Sequence, residues 1–176
     1  MIDPNSAAVD HPTAVGSLRL EVGGGSLRRL ELPRDRSESP PPNLRDARPE
    51  DASVLDAVRH QLDEYFEHRR RRFELPLAPE GTEFQRRVWS ELEAIPFGET
   101  ISYGELATRV GNPKASRAVG AANGQNPIAI IVPCHRVIGA DGRLTGFGGG
   151  LPMKEWLLNW ESPGLFTPDG IGDVQT

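Results

Sequence analysis

The chain is 176 residues long and carries 20 Lys and Arg against 25 Asp and Glu, a formal charge of −5, with a single cysteine. That length suffices for one sizeable core or two small lobes, and one thiol excludes both an internal disulfide and any Cys-rich zinc site. An acidic protein lacks the basic footprint of phosphate binding, so a polyanion would need a local patch, and residues 100–143 supply one: Arg109, Lys114, Arg117, Arg136 and Arg143 face only Glu105 and Asp141.

Met1-Ile2-Asp3-Pro4-Asn5 lacks the basic-then-apolar layout of a signal peptide, and no apolar run approaches a membrane span, so a cytoplasmic protein with no membrane partner is expected. Residues 1–16 show no periodicity and read as a disordered leader. From Ser17 to Val22 apolar residues alternate, Gly23-Gly24-Gly25 turns, and Leu27, Leu30 and Leu32 follow, which predicts a β-hairpin. Arg34 to Arg48, with Pro40-Pro41-Pro42, reads as a surface loop. Pro49 then opens a helix to about Glu67, with Val54, Leu55, Val58, Leu62, Tyr65 and Phe66 at helical spacing. Arg69 to Arg72 read as solvated cations beside its C-terminus.

Thr82-Glu83-Phe84-Gln85 is a capping box ahead of Val88, Trp89, Leu92 and Ile95, and Pro96 closes that element. Ser102-Tyr103-Gly104-Glu105 is a second capping box, opening a short helix that stops at Gly111. Asn112 and Pro113 predict the N-cap and first turn of another helix, through Asn123. The pair forms a helix-turn-helix pattern. The second helix carries Ala115, Ser116, Ala118, Gly120, Ala121 and Ala122, almost without bulk. Small residues commonly serve close helix packing; here Arg117, projecting from a smooth surface, fits insertion into a DNA duplex.

Ile128 to Val132 reads as a short buried strand that Pro133 ends, displaying Cys134 at its exit with His135 next to it. An isolated cysteine is most often a small buried hydrophobe, but this one is followed at once by a histidine. A thiol needs a base, since its ordinary pKa of about 8.5 leaves little thiolate at neutral pH. Adjacent side chains on an extended chain point apart, so a Cys134–His135 partnership requires a turn or a bridging water, and spacing does not choose the acid that would orient the imidazole. Gly139 to Gly142 is a turn, and Thr145 to Gly150 a glycine-dense loop open to a flat ligand. Met153 to Glu161 closes the pattern as an amphipathic helix with Trp156, Leu157 and Trp160 inward, and residues 162–176 read as a loose tail.

These motifs in this order resemble the O6-alkylguanine-DNA alkyltransferases of bacterial cytosolic type. The resemblance is strong from about Leu75 to Glu161, through Gly81 to Gln85, Ile101 to Ala107, Gly111 to Ala115, Arg117 to Gly120, Asn126-Pro127, Pro133-Cys134-His135-Arg136-Val137 and Lys154 to Leu158, and weaker over 17–74. It implies an α/β N-terminal lobe with a small antiparallel sheet, ribonuclease H-like, and a mainly α C-terminal lobe with a winged helix-turn-helix. The expected division is an N-terminal domain over 17–76, a linker over 77–80 and a catalytic and DNA-binding domain over 81–161.

The resemblance also implies the chemistry: Cys134 accepts the alkyl group of O6-alkylguanine, and less efficiently of O4-alkylthymine, in double-stranded DNA. By the same token His135 acts through a water with Glu161 orienting it, and Asn126 braces the turn. Arg117 takes the place of the extruded base. Tyr103 assists rotation of the nucleotide and protonates the purine, and Lys154 polarises the site. Ala115, Ser116, Ala118 and Gly120 line the DNA face. The pocket takes the backbone of Gly148, the carbonyls of Cys134 and Val137, and the rim at Phe147 and Gly149; Phe147 stands where many relatives carry tyrosine. A thioether cannot be hydrolysed, so each molecule repairs one lesion. The resemblance implies no metal and no cofactor, and a monomer whose cooperativity on DNA is left open. The alternatives are a lesion sensor without chemistry, whose relatives lack the cysteine, a cysteine hydrolase using Cys134, His135 and Glu161, and a winged-helix transcription regulator.

Overall fold

A computed structural model describes residues 6–33, 47–167 and 170–171. The chain separates into two compact units, one of residues up to 80 with 127–129, the other of 81–126 with 130 onward.

The first unit is built on a three-stranded antiparallel sheet, β1 (Ala7–Thr13), β2 (Gly16–Gly23) and β3 (Ser26–Glu31), in that spatial order. Alternation places Leu18, Leu20 and Val22 on the covered face with no exposed surface. The β2–β3 turn runs through Gly24 and Gly25 at φ +61° and +71°, the left-handed pair that a tight hairpin demands. Helix α1 (Pro49–Phe66) lays Leu55, Val58, Leu62 and Tyr65 on this sheet, and Asp51 Oδ1 accepts from Gly25 N at 2.8 Å, tying helix to hairpin. Gln61 extends its amide as if it were backbone, donating to Glu74 O (3.0 Å) and accepting from Glu74 N (2.8 Å). The far edge of β3 is closed by Leu27 N–H to Pro76 O and Leu30 N–H to Pro127 O. Arg69 and Arg70 fold back onto Glu67 and Glu64, as solvated cations do.

One expectation is overturned here. Residues 7–13 are not a disordered leader but β1, paired with β2 along its whole length. Pro12 and the polar pair Asp10 and His11 mask its apolar alternation; those groups find partners instead, Arg19 Nε donating to Asp10 at 3.2 Å and His11 Nε2 lying 2.8 Å from Asp63 Oδ1. Residues 1–5 and the proline-rich segment 34–46 lie outside the described residues.

In the second unit α2 (Glu83–Glu93) starts from the full reciprocal capping box of Thr82 and Gln85. The two-residue strands β4 (Ile101–Ser102) and β5 (Val137–Ile138) pair in parallel, with α3 (Tyr103–Arg109) and α4 (Ser116–Gly124) between them in sequence. Trp89 Nε1–H donates to Ala122 O at 2.8 Å, fixing α2 against α4. Ser102 caps α3, but Glu105 does not reciprocate; it pairs with Arg109 at 2.9 Å. Helix α4 begins at Ser116 rather than at Asn112. Asn112-Pro113-Lys114 is consumed by the turn that Ala115 N–H closes on Asn112 O, and no side chain caps the helix.

The run Ile128 to Val132 is buried as expected but is not a strand. Only Ile128 bridges, to Leu30, and Ile130 sits at φ +70°. Apolar composition signals burial, and a buried turn satisfies it as well as a ladder does. Helix α5 (Leu151–Glu161) turns Lys154, Leu157, Leu158 and Glu161 inward, while Trp156 and Trp160 are only half-buried and stack on each other at 5.1 Å. The expected loose tail instead packs down after α5: Phe166 is buried against Ile138 and Leu158, Asn159 bonds both its N–H and its carbonyl, and β6 (Phe166–Thr167) pairs with β7 (Gly170–Ile171), while residues 168–169 and 172–176 lie outside the described residues. No described helix is long and apolar enough to cross a membrane.

Candidate active site

Pro133, at φ −81° and ψ 64°, makes an inverse γ-turn in which Cys134 N–H reaches Val132 O at 2.8 Å. A 3₁₀ turn, Cys134–Arg136, follows directly. The chain is therefore not extended at the thiol, which removes the objection that neighbouring side chains must diverge. Asn126 Nδ2 donates to Val132 O at 2.8 Å and its side chain also hydrogen-bonds the Cys134 sulfur. Asn123, at the end of α4, reaches the Cys134 carbonyl at 3.4 Å. The thiol is only 6 % exposed.

His135 is completely buried, its Nε2 2.9 Å from Glu161 Oε1. A carboxylate only accepts, so Nε2 carries the proton; Nδ1 has no hydrogen-bond partner and is left as the ring's acceptor. Arg136 grips the same carboxylate with Nε on Oε2 and Nη2 on Oε1, both at 2.8 Å, and sends Nη1 to Ile95 O at 2.6 Å. Gly98 N–H adds a bond to Oε2 at 3.1 Å. Lys154, also fully buried, donates to Val137 O (2.6 Å) and Thr145 O (2.7 Å), strapping the glycine loop to β5.

Burial dominates the thiol and pushes its pKa up, against the pull of Asn126 and Lys154. Burial likewise lowers the proton affinity of His135, opposed by Glu161 and reinforced by Arg136. Burial would raise Glu161, but His135 and Arg136 overcome it and hold the carboxyl far below the usual range. Lys154 is drawn down to about 8 by burial, with the Cys134 charge acting the other way. At rest the thiol and imidazole are neutral, beside an ionised and fully bonded Glu161.

The rim is more open. Tyr103 OH accepts from Thr145 Oγ1 at 3.2 Å, and the Lys154 ammonium lies 6.0 Å from its ring. Phe147 sets its edge toward His135 at 6.5 Å; Gly148 is exposed and Gly149 buried. Val137 is buried and its carbonyl is engaged by Lys154. On α4, Arg117 and Ala118 are exposed, with Ala115, Ser116 and Gly120 partly so.

The structure thus brings Cys134, His135, Glu161, Asn126 and Lys154 together, with Tyr103 and Phe147 beside them, and leaves Arg117 outside on the helix-turn-helix. It withdraws Arg136 from the basic patch proposed from sequence, since its charge is spent internally. Arg109 and Arg143 are partly offset by Glu105 and Asp141, so Lys114 and Arg117 carry most of what remains. Sequence reasoning missed Arg136, Asn123 and Gly98 as parts of the site. Only Arg136 had a signal, its adjacency to the Cys-His pair. Among the described residues no cluster of three His, Cys, Asp or Glu side chains is placed to hold a metal ion.

Residues 83–163 match the family model for the DNA-binding domain of 6-O-methylguanine DNA methyltransferase, and residues 25–79 that for its ribonuclease-like domain. A methylated-DNA–protein-cysteine methyltransferase of Methanosarcina acetivorans is 63% identical over 101 residues, 57% of this chain and 65% of the relative. The protein of that name from Mycobacterium tuberculosis is 48% identical over 153 residues, 87% of this chain and 89% of the relative. The crystal structure of Mycobacterium tuberculosis OGT in complex with DNA superposes with a TM-score of 0.74 at 46% identity, over 89% of this chain and 91% of that one. A buried thiol adjoining a hydrogen-bonded His–Glu pair, a helix-turn-helix in the same unit and likeness along nearly the whole length converge: the chain belongs to the methylated-DNA–protein-cysteine methyltransferases.

Proposed function

We propose that this protein repairs DNA by direct reversal, transferring the alkyl group from O6 of a damaged guanine to Cys134 Sγ once per molecule. The lesion lies inside the base stack, so the nucleotide must be flipped out, with Arg117 of α4 filling the gap and Tyr103 turning the backbone. The base enters beside the 145–150 loop, where the Gly148 N–H meets O6 and the carbonyls of Cys134 and Val137 accept from the exocyclic amine. His135 takes the thiol proton on Nδ1 through a water, while Glu161 holds the opposite nitrogen. The thiolate attacks the alkyl carbon in line; a C–S bond forms, the C–O bond breaks with its electrons left on the purine, and Tyr103 supplies the proton the guanine needs. Asn126 and Lys154 favour the sulfur's anionic form, which supports their assignment to the transfer step. The thioether has no hydrolysable bond, so the thiol is not regenerated.

Residues 81–161 serve in this reading as the catalytic and DNA-binding domain. O4-alkylthymine is a slower substrate, the cytoplasm keeps the thiol reduced, and one monomer acts on one lesion. The observation that carries the reading is the buried thiol beside an imidazole whose Nε2 is pinned by an ionised carboxylate and whose Nδ1 is unpartnered. It favours chemistry over the sensor alternative, which needs no relay.

The test is intact-protein mass spectrometry after incubation with a duplex carrying one O6-methylguanine, with Cys134→Ser alongside. A gain of one methyl, saturating at one per protein and absent in the variant, is expected. Lesion binding without any mass gain would make the protein a sensor and sink the proposal.

A further inference from the structure

Glu161 is more heavily bonded than orienting one imidazole requires. Oε1 is shared by His135 Nε2 and Arg136 Nη2, and Oε2 by Arg136 Nε and Gly98 N–H. This occupies the lone-pair directions of a carboxylate and leaves it one orientation. The supports are themselves anchored. Arg136 Nη1 is bound by Ile95 O and its guanidinium lies 5.9 Å from the Phe97 ring centroid. Gly98, at φ +78°, has its carbonyl held by Ser162 Oγ at 3.0 Å, and a Cβ there would come within 2.9 Å of that oxygen. The segment Ile95-Pro96-Phe97-Gly98 is thus a bracket for Glu161, which the sequence showed only as the end of a helix.

We propose that Arg136, seated in this bracket, is a positioning residue of the transfer reaction. It locks the Glu161 carboxylate in place and cancels its charge, so that His135 is kept as the uncharged Nε2–H tautomer with Nδ1 free to take the thiol's proton. The inference rests on the alkyl-transfer reading for its kinetic consequence. A carboxylate with no counter-charge would stabilise an imidazolium, and an imidazole already protonated cannot serve as base. An arginine that answers it bidentately leaves a dipolar pair, which orients the ring without charging it. The other groups facing His135 point the same way. Lys154 of α5 adds a further positive charge, Cys134 is neutral at rest, and α2 presents the apolar Val88, Trp89 and Leu92 as its buried side. From the glycine loop the apolar Phe147 ring lies 6.5 Å from the imidazole.

The experiment is the single-turnover transfer rate on a duplex carrying O6-methylguanine, followed across pH for the wild type, Arg136→Met and Arg136→Lys. In R136M the acid limb moves to higher pH. Below such a limb the rate falls about tenfold per pH unit, so the loss against wild type grows toward acid. In R136K, which keeps the charge but not the fork, the limb stays and the plateau drops. An R136M profile that superposes on the wild type after scaling overturns the proposal, since it marks a purely structural arginine. Should R136M fail to fold, ¹⁵N-histidine NMR of the wild type decides, with His135 assigned by its loss in His135→Gln. The neutral Nε2–H pattern must persist well below the ordinary histidine value of about 6.5, and protonation at that value overturns the proposal. Because the NMR readout needs no DNA, a wild type that gains no methyl mass would defeat the transfer reading while still testing this geometry.

Discussion

Replacing Glu161 by Gln keeps the volume of the side chain and removes its charge, which isolates what the buried cluster is worth. Arg136 would then face an amide whose single oxygen can keep at most one of the two 2.8 Å bonds beside the one to Ile95 O, and an uncompensated guanidinium would sit in a site where the side chain is 6 % exposed. Breaking one partner of a buried ion pair costs about 3–5 kcal/mol, a large share of the roughly 5–15 kcal/mol that holds a domain folded. For a chain of this size each kcal/mol moves the midpoint by about 2–4 °C, so E161Q should melt about 6–20 °C below wild type. The carboxylate's contribution is whole above the unfolded Glu value of about 4.3 and is lost only as pH falls through its far lower folded value, so the comparison belongs at pH 7. Tryptophan fluorescence is the probe of choice, because Trp89, Trp156 and Trp160 are all the tryptophans of the chain and all lie in the second unit. A midpoint within about 2 °C of wild type would refute the claim that this charge pair is buried and mutually dependent.

Asn126→Ala removes one of the two 2.8 Å donors to the carbonyl of fully buried Val132, leaving Cys134 N–H, and takes the amide from the sulfur. It should cost about 0.5–1.5 kcal/mol in urea unfolding, the net worth of one hydrogen bond, and slow single-turnover transfer as well, and a variant with wild-type stability and rate would contradict the brace. Arg117→Ala, by contrast, alters an exposed side chain and should change stability by no more than about 0.5 kcal/mol. Its effect should fall on the lesion in duplex DNA and spare transfer from the free base O6-benzylguanine; an equal loss on both would deny Arg117 a role in extrusion.

What the sequence made legible was what local chemistry encodes. The Thr82–Gln85 capping box, the Gly24-Gly25 hairpin, the proline start of α1 and the helix-turn-helix all declare themselves within a few residues, and all are present. The misreadings share one cause, which is that tertiary partners overrode local signals. Asp10 and His11 interrupt the periodicity that would mark residues 7–13 as a strand, and it is Arg19 and Asp63 that meet them in the fold. Asn112 and Pro113 looked like a helix start, but the turn before α4 used them first. Hydrophobicity points Trp156 and Trp160 inward, yet α5 buries Lys154 and Glu161 beside Leu157 and Leu158, because each charged group finds bonded partners inside: carbonyls for Lys154, His135 and Arg136 for Glu161. Family resemblance had already nominated both of those residues. It did not nominate Arg136, Asn123 or Gly98, whose parts depend on where a carboxylate and a carbonyl end up in three dimensions.

The charges of the site also explain why Lys154 stands where it does. Glu161 and Arg136 answer each other, and the proposed proton transfer from Cys134 to His135 would create one charge of each sign. Lys154 is the exception: its hydrogen bonds go to the carbonyls of Val137 and Thr145, and among the described residues no carboxylate pairs with it. A buried ammonium without an anion is costly, which is why its pKa is drawn down to about 8, and the group that acts against that fall is the Cys134 charge. Burial thus penalises the thiolate and the ammonium separately, whereas formed together each relieves the other. Burial still dominates and keeps the resting thiol neutral, but the Lys154 charge acts against that rise, so the cost of ionising Cys134 is lower with this ammonium beside it than without it.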